Sequence, residues 1–160
     1  MKLVEPFAKR RGTPLPVGLS FVLLAIDPGA STGWGVFDKT QLLGCGLGDP
    51  HVERAARIVI ELPQVYPQQP VPPNDLITLA FLAGRYAGAA MGGSVGVAVS
   101  TVFPHQWKGN LPKDLCAIRV RAALTPAERT IVDAIDVPEK QRHNVMDAIG
   151  IGLFTLGRRF

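Results

Sequence analysis

Residues 23 to 37 read LLAIDPGASTGWGVF. An apolar run ends in Asp27, breaks at Pro28 and Gly29, crosses Ser31 and Thr32, and resumes as a second apolar run. Pro and Gly end strands and turn the chain. The carboxylate therefore stands at a strand tip, against a turn. The run FVLLAID, residues 21–27, has the length and continuity of a strand buried on both faces. Working outward, GWGVFD and TQLLGCGLG read as two further strands joined by a hairpin turn at DKT. ARIVIELP is a fourth strand, again apolar and again closing on a carboxylate, Glu61. The following PQVYPQQPVPP cannot enter a sheet interior, because proline lacks the ladder donor.

Beyond it, Asn74 is expected to cap a helix over residues 75–92, whose Ala and Gly content suggests close packing. SVGVAVSTVF is a fifth strand and PHQWKGNLPKD a polar, basic loop. Three helices follow, in PKDLCAIRVRAAL, TPAERTIVDAI and PEKQRHNVMDAIGIGLFTLG. The second opens with Thr125 and Glu128 at capping-box spacing. Three adjoining strands predict an antiparallel meander, and the later strands need crossovers. The expected domain is α/β, with a mixed five-stranded central sheet flanked by helices over residues 21–160. Residues 1–20, basic and then punctuated by Pro14, Pro16 and Gly18, are expected to be a flexible arm.

Composition sets bounds on function. The 160 residues are 47% hydrophobic and 19% charged, which suits one globular domain. No apolar run is long enough to span a bilayer, and the N-terminal stretch lacks the apolar core of a signal peptide. Cys45 and Cys116 are too few for a disulfide framework and match no zinc spacing, so a reducing, cytoplasmic setting is expected. Seventeen Lys and Arg against thirteen Asp and Glu leave +4, concentrated at the two ends. Basic ends suit a polyanion partner, or are simply solvated tails.

Three carboxylates stand out by context. Asp27 and Glu61 end strands, and Asp147 sits in the apolar stretch NVMDAIGIG of the last helix. Carboxylates are rarely buried without a partner. Each has a plain alternative: a turn residue for Asp27, a solvated strand end for Glu61, a satisfied structural carboxylate for Asp147. Jointly they suggest a hard cation such as Mg²⁺, which takes oxygen ligands. His143 lies four residues before Asp147 and Asn144 three before, so both share its helical face and either could complete a metal site. Gly150, one turn further on, would let this helix press on the sheet and bring Asp147 near Asp27. Two strand-end carboxylates plus a late helical one form the layout of two-metal phosphodiester cleavage.

AIDPGASTGWGVF, IVIELPQVY and NVMDAIGIG together resemble the motif set of the RuvC-type Holliday-junction resolvases, of the RNase H-like superfamily, over roughly residues 22–156. The resemblance implies an RNase H-like fold and a metal-dependent endodeoxyribonuclease, of phage or bacterial type, that resolves four-way DNA junctions. Paired symmetric nicks would leave 5′-phosphate and 3′-hydroxyl ends. It assigns Asp27, Glu61 and Asp147 as catalytic metal ligands for two Mg²⁺ ions, with Mn²⁺ able to substitute. Asp27 would bridge the ions, Asp147 would serve the attacking water and Glu61 the leaving-group side. The family usually has Asp or His three residues before the last Asp. Here Asn144 occupies that position, and His143 is favoured as the fourth ligand. Lys108 resembles the family's basic residue near the scissile region.

Lys113, Arg119 and Arg121 extend the basic set, which is otherwise one solvated helix face. Tyr66 and Trp107 are candidates for stacking at the crossover, Tyr66 lying five residues past Glu61 rather than the family's three, and Trp107 being equally suited to the core. Symmetric resolution of branched DNA implies a homodimer, with the helix over residues 75–91 as the suggested interface. Alternatives are a less specific RNase H-like nuclease acting on branched or flap DNA, and a catalytically silent junction-binding protein. An actin-like or sugar-kinase ATPase would need a second such domain.

Overall fold

The computed structural model describes residues 11–16, 21–68, 71–93 and 96–160. Most of the expected arm, residues 1–10 and 17–20, lies outside them. The elements in chain order are β1 (Arg11–Gly12), β2 (Phe21–Asp27), β3 (Gly33–Asp38), β4 (Gln41–Leu47), β5 (Ala55–Glu61), α1 (Pro73–Gly93), β6 (Ala98–Val102), α2 (Pro104–Trp107), α3 (Lys113–Ala123), α4 (Pro126–Asp133) and α5 (Arg142–Thr155). Single 3₁₀ turns at Val52–Arg54 and Glu139–Gln141 precede β5 and α5.

The sheet has the order β1-β4-β3-β2-β5-β6. As the spacing predicts, β2, β3 and β4 form an antiparallel meander, and β5 and β6 add in parallel beyond β2. Among the described residues the sheet has six strands rather than five. Arg11 and Gly12 pair antiparallel with Leu47 and Gly46 at the edge, and Thr13 exchanges hydrogen bonds with Cys45. Two residues are too short to leave a pattern in the sequence, so only pairing reveals this strand. Two smaller differences concern helix boundaries. The helix expected to be capped by Asn74 begins at Pro73, and the basic loop after β6 contains the four-residue α2.

Leu23 to Ile26 of β2 are all apolar because this stretch is buried on both faces. Leu23 and Ala25 belong to one core, with Phe37, Val59, Trp107, Val120 and Ile149. Leu24 and Ile26 belong to the other, with Trp34, Ile58, Ile60, Ala83, Tyr86 and Ala90. α5 and α3 cover the first face, and α1 covers the second. Strand side chains alternate with a period of two. Asp27 therefore follows Leu23 and Ala25 onto the α5 side, and Glu61 follows Val59 there. Ile26 pairs with Ile60, so Asp27 and Glu61 are the next positions along two adjacent parallel strands.

Close backbone approach seats α5. A Cβ on Gly33 would collide with the Asn144 carbonyl, so the start of α5 rests directly on β3. Gly150 differs from its expected role. A Cβ there would run into Trp107 and Val120, so it admits α2 and α3 rather than the sheet.

Of the two basic residues at the chain end, Arg159 is exposed but Arg158 is built in. Glu128, 2% exposed, receives both Arg158 guanidinium nitrogens at 2.6 and 2.9 Å. It also accepts the Leu42 and Thr125 N–H groups, each at 2.8 Å. These partners outweigh burial and hold its carboxyl down at about 2 from an ordinary 4.5. The capping box legible in the sequence is thus also the anchor of the C-terminus.

Candidate active site

Asp27 leaves β2 at the Pro-Gly turn, and Thr32 closes that turn. Its hydroxyl accepts the Gly29 N–H at 3.3 Å and lies 3.0 Å from both the Gly29 carbonyl and the Tyr86 hydroxyl of α1. Asn144 ties the start of α5 to the same turn, its amide donating to the Ser31 carbonyl at 3.0 Å. The loop that frames Asp27 is therefore held from both layers of helices.

Asp27, Glu61 and Asp147 come together on the α5 side. Burial pushes the Asp27 carboxyl well above the usual range, and the negative charges of Glu61 and Asp147 push it further, against Lys108 and Lys113. Burial also raises Glu61, with Asp147 adding to it, while Lys108 and a hydrogen bond from Trp107 work the other way. Asp147 is 7% exposed in a helix whose neighbouring positions are all apolar. Acids gathered on one side of the sheet, with Asp27 and Glu61 raised by burial and by neighbouring negative charge, form a site for positive charge.

Lys108 supplies positive charge from the chain itself. Its ammonium stands 3.5 Å from Asp147 Oδ2 and 3.9 Å from Glu61 Oε2. It also lies 4.7 Å from the centre of the Trp107 ring, a cation–π distance. Burial lowers the Lys108 ammonium, but Glu61, Asp147 and Asp27 outweigh it and keep it above its ordinary 10.5. Trp107 is 6% exposed, and its indole N–H donates to Glu61 Oε2. It is a core residue that orients Glu61, not a surface for stacking bases. α2 explains both roles, since this single turn sets Trp107 inward and Lys108 just past it.

The carboxylate oxygens are of the donor type that a hard divalent cation such as Mg²⁺ takes, and the Lys108 ammonium now stands against two of the acids. Among the described residues, no three His, Cys, Asp or Glu side chains converge tightly enough to hold an ion as they stand. The two suggested fourth ligands are placed differently. His143 lines a separate groove of about 470 Å³ between α3 and α5, with Asp114, Ala117, Ile118 and Met146. The Asn144 amide nitrogen is committed to Ser31. A spacing of three or four residues leaves wide latitude about a helix, and the packing of α3 on α5 decides which side each takes.

Tyr66, Lys108 and Lys113 share a cleft of about 560 Å³ with Gln68, Asn110 and Pro112. Of the other basic residues, Arg119 is exposed on α3, and Arg121 is paired with Asp133 at 2.7 and 2.9 Å. Sequence reasoning missed the Trp107–Glu61 bond and the supporting pair Thr32 and Tyr86. The adjacency of Trp107 and Lys108 was the available signal for the first, whereas nothing local connects residues 32 and 86. The chain matches no protein-family model and no curated protein.

Proposed function

We propose that this chain is a metal-dependent endodeoxyribonuclease of the RuvC-like type that resolves four-way DNA junctions. One observation supports the reading: two strand tips and the last helix bring Asp27, Glu61 and Asp147 within reach of one another's charge, with the Lys108 ammonium against two of them. They would hold two Mg²⁺ ions. When bound, such ions activate water and stabilise the attacking and leaving oxygens of an in-line displacement. The chain's own part is to present the acids rigidly. β2 and β5 set Asp27 and Glu61, Trp107 keeps Glu61 turned inward, and α5 delivers Asp147 from the apolar core. The cleft of Tyr66 and Lys113 would receive the DNA strand beside the acids, the lysine on phosphate and the ring against a base.

Symmetric nicking needs two such sites. α1 turns Ala83, Tyr86 and Ala90 to its own sheet and leaves Ile77, Phe81 and Met91 exposed, in keeping with a two-fold contact through that helix. One observation favours a second reading, a silent junction-binding protein: Lys108 already offsets part of the acidic charge.

Cleavage of a synthetic four-way junction beside linear duplex and flap DNA, with Mg²⁺, Mn²⁺ or EDTA, separates these readings. Metal-dependent paired nicks confined to the junction are expected, and Asp147→Asn should abolish cutting while retaining junction binding. Equal cutting of all three substrates would replace the resolvase with a general nuclease. Tight junction binding without cutting would favour the silent protein.

A further inference from the structure

We propose that Lys108 is an internal counter-cation, and that its ammonium and a divalent ion are alternative occupants of the space between Glu61 and Asp147. The inference rests on the metal site of the proposed function and goes beyond it. A lysine that serves only to bind DNA would extend into the cleft. Lys108 instead turns its ammonium onto two of the three acids, with only 23% of the side chain exposed. The Trp107 ring supports it from one side, and the Trp107 N–H holds the same Glu61 oxygen that the ammonium approaches. Without that positive charge, the three acids would repel one another. With it, they stay clustered in the absence of any ion.

Divalent cations bind carboxylate oxygens directly. A dication and an ammonium contending for the same oxygens repel strongly at this separation. Ion binding would therefore expel Lys108. Its way out is visible, because Lys108 also lines the cleft of Tyr66, Asn110 and Lys113. The expelled ammonium would add positive charge where a DNA phosphate is proposed to lie. Ion occupancy and DNA affinity are thereby linked through one side chain.

The test is Mn²⁺ binding, read by electron paramagnetic resonance and calorimetry on EDTA-treated protein, with thermal melting of the metal-free forms. Wild type is compared with Lys108→Met, Lys108→Gln and Lys113→Met. Lys113 is the control for simple through-space charge. It is felt by Asp27 but is not the ion-pair partner of Glu61 or Asp147. Both Lys108 variants should bind Mn²⁺ at least about tenfold more tightly than wild type. Lys113→Met should change affinity by less than about threefold, since solvent and salt screen it. The metal-free Lys108 variants should melt below wild type, and Mn²⁺ should restore them. Unchanged or weaker Mn²⁺ binding in the Lys108 variants overturns the proposal, and so does a Lys113→Met gain as large as theirs. If neither wild type nor any variant binds Mn²⁺ at millimolar concentration, the metal reading itself fails, and this inference fails with it.

Discussion

Replacing Glu128 by Gln probes what holds the C-terminal end of the chain on the sheet. The carboxylate is 2% exposed and accepts four hydrogen bonds, two from Arg158 and one each from the N–H groups of Leu42 and Thr125. Arg158 also donates to the Thr40 and Ala123 carbonyls, so one cluster joins the β3–β4 turn, the end of α3 and the start of α4. A carboxyl lowered from 4.5 to about 2 corresponds to about 3 kcal/mol, at about 1.4 kcal/mol per unit. The folded value is depressed, so this stability is fully present above pH 4.5 and is lost as pH falls toward about 2. Gln keeps the shape but loses the charge, and it turns an amide NH₂ toward groups that are all donors.

Glu128→Gln should therefore unfold about 3 kcal/mol more easily at pH 7, a drop of about 6–12 °C in melting temperature for a chain of this size. Urea denaturation of both proteins from pH 7 down to pH 2 is the assay. The two stability curves should converge on the acid side, because protonation removes from wild type what the substitution has already removed from the variant. A loss under about 1 kcal/mol at pH 7, or curves that stay parallel down to pH 2, would refute the reasoning. The result bears on the candidate site as well. Phe160, two residues past Arg158, packs against Trp107 with ring centres 6.3 Å apart, and Trp107 holds Glu61.

Two further expectations concern the acids themselves. Asp27→Asn should raise the melting temperature of the metal-free protein at neutral pH while lowering junction cutting by at least about a hundredfold. Its carboxyl is raised in the folded state, so metal-free stability falls as pH climbs from the ordinary 3.8 through the raised value, and removing the charge relieves that loss. Melting in EDTA across pH 4–8 reads the effect, and a variant no more stable than wild type would count against the repulsion. Trp107→Phe keeps a ring against Gly150 but deletes the N–H that Glu61 accepts. Single-turnover cutting should fall by about tenfold to a hundredfold, the worth of one hydrogen bond to a charged group. An unchanged rate with the fold intact would show that Glu61 needs no such orientation.

Much of the site was legible because it lies where a local pattern breaks. Asp27 and Glu61 interrupt apolar strands, and Asp147 interrupts an apolar helix. Such breaks are informative, since burying an unsatisfied carboxylate is costly. The supporting residues leave no such trace. Trp107 in a polar stretch suits a stacking platform or a core anchor equally well, and only its burial and its bond to Glu61 decide between them. By residue type alone Lys108 and Arg121 differ little, and only the resemblance set Lys108 apart, yet one turns onto the acids and the other pairs with Asp133 on the surface.

The amino-acid sequence by itself determined the meander, the parallel additions and the strand-end positions of two acids, because periodicity and turn chemistry are local. Strand alternation even commits Asp27 and Glu61 to particular faces once one residue of each strand is assigned. The tertiary structure alone decided which side of α5 faces the sheet and that a two-residue strand closes the edge. It alone also decided that His143 opens onto a separate groove while Lys108 turns toward the acids. The physical reason is that side chains far apart in the chain acquire their neighbours only through packing. A helix offers every side chain some direction, and the close approach at Gly33 and the packing at Gly150 select one of them.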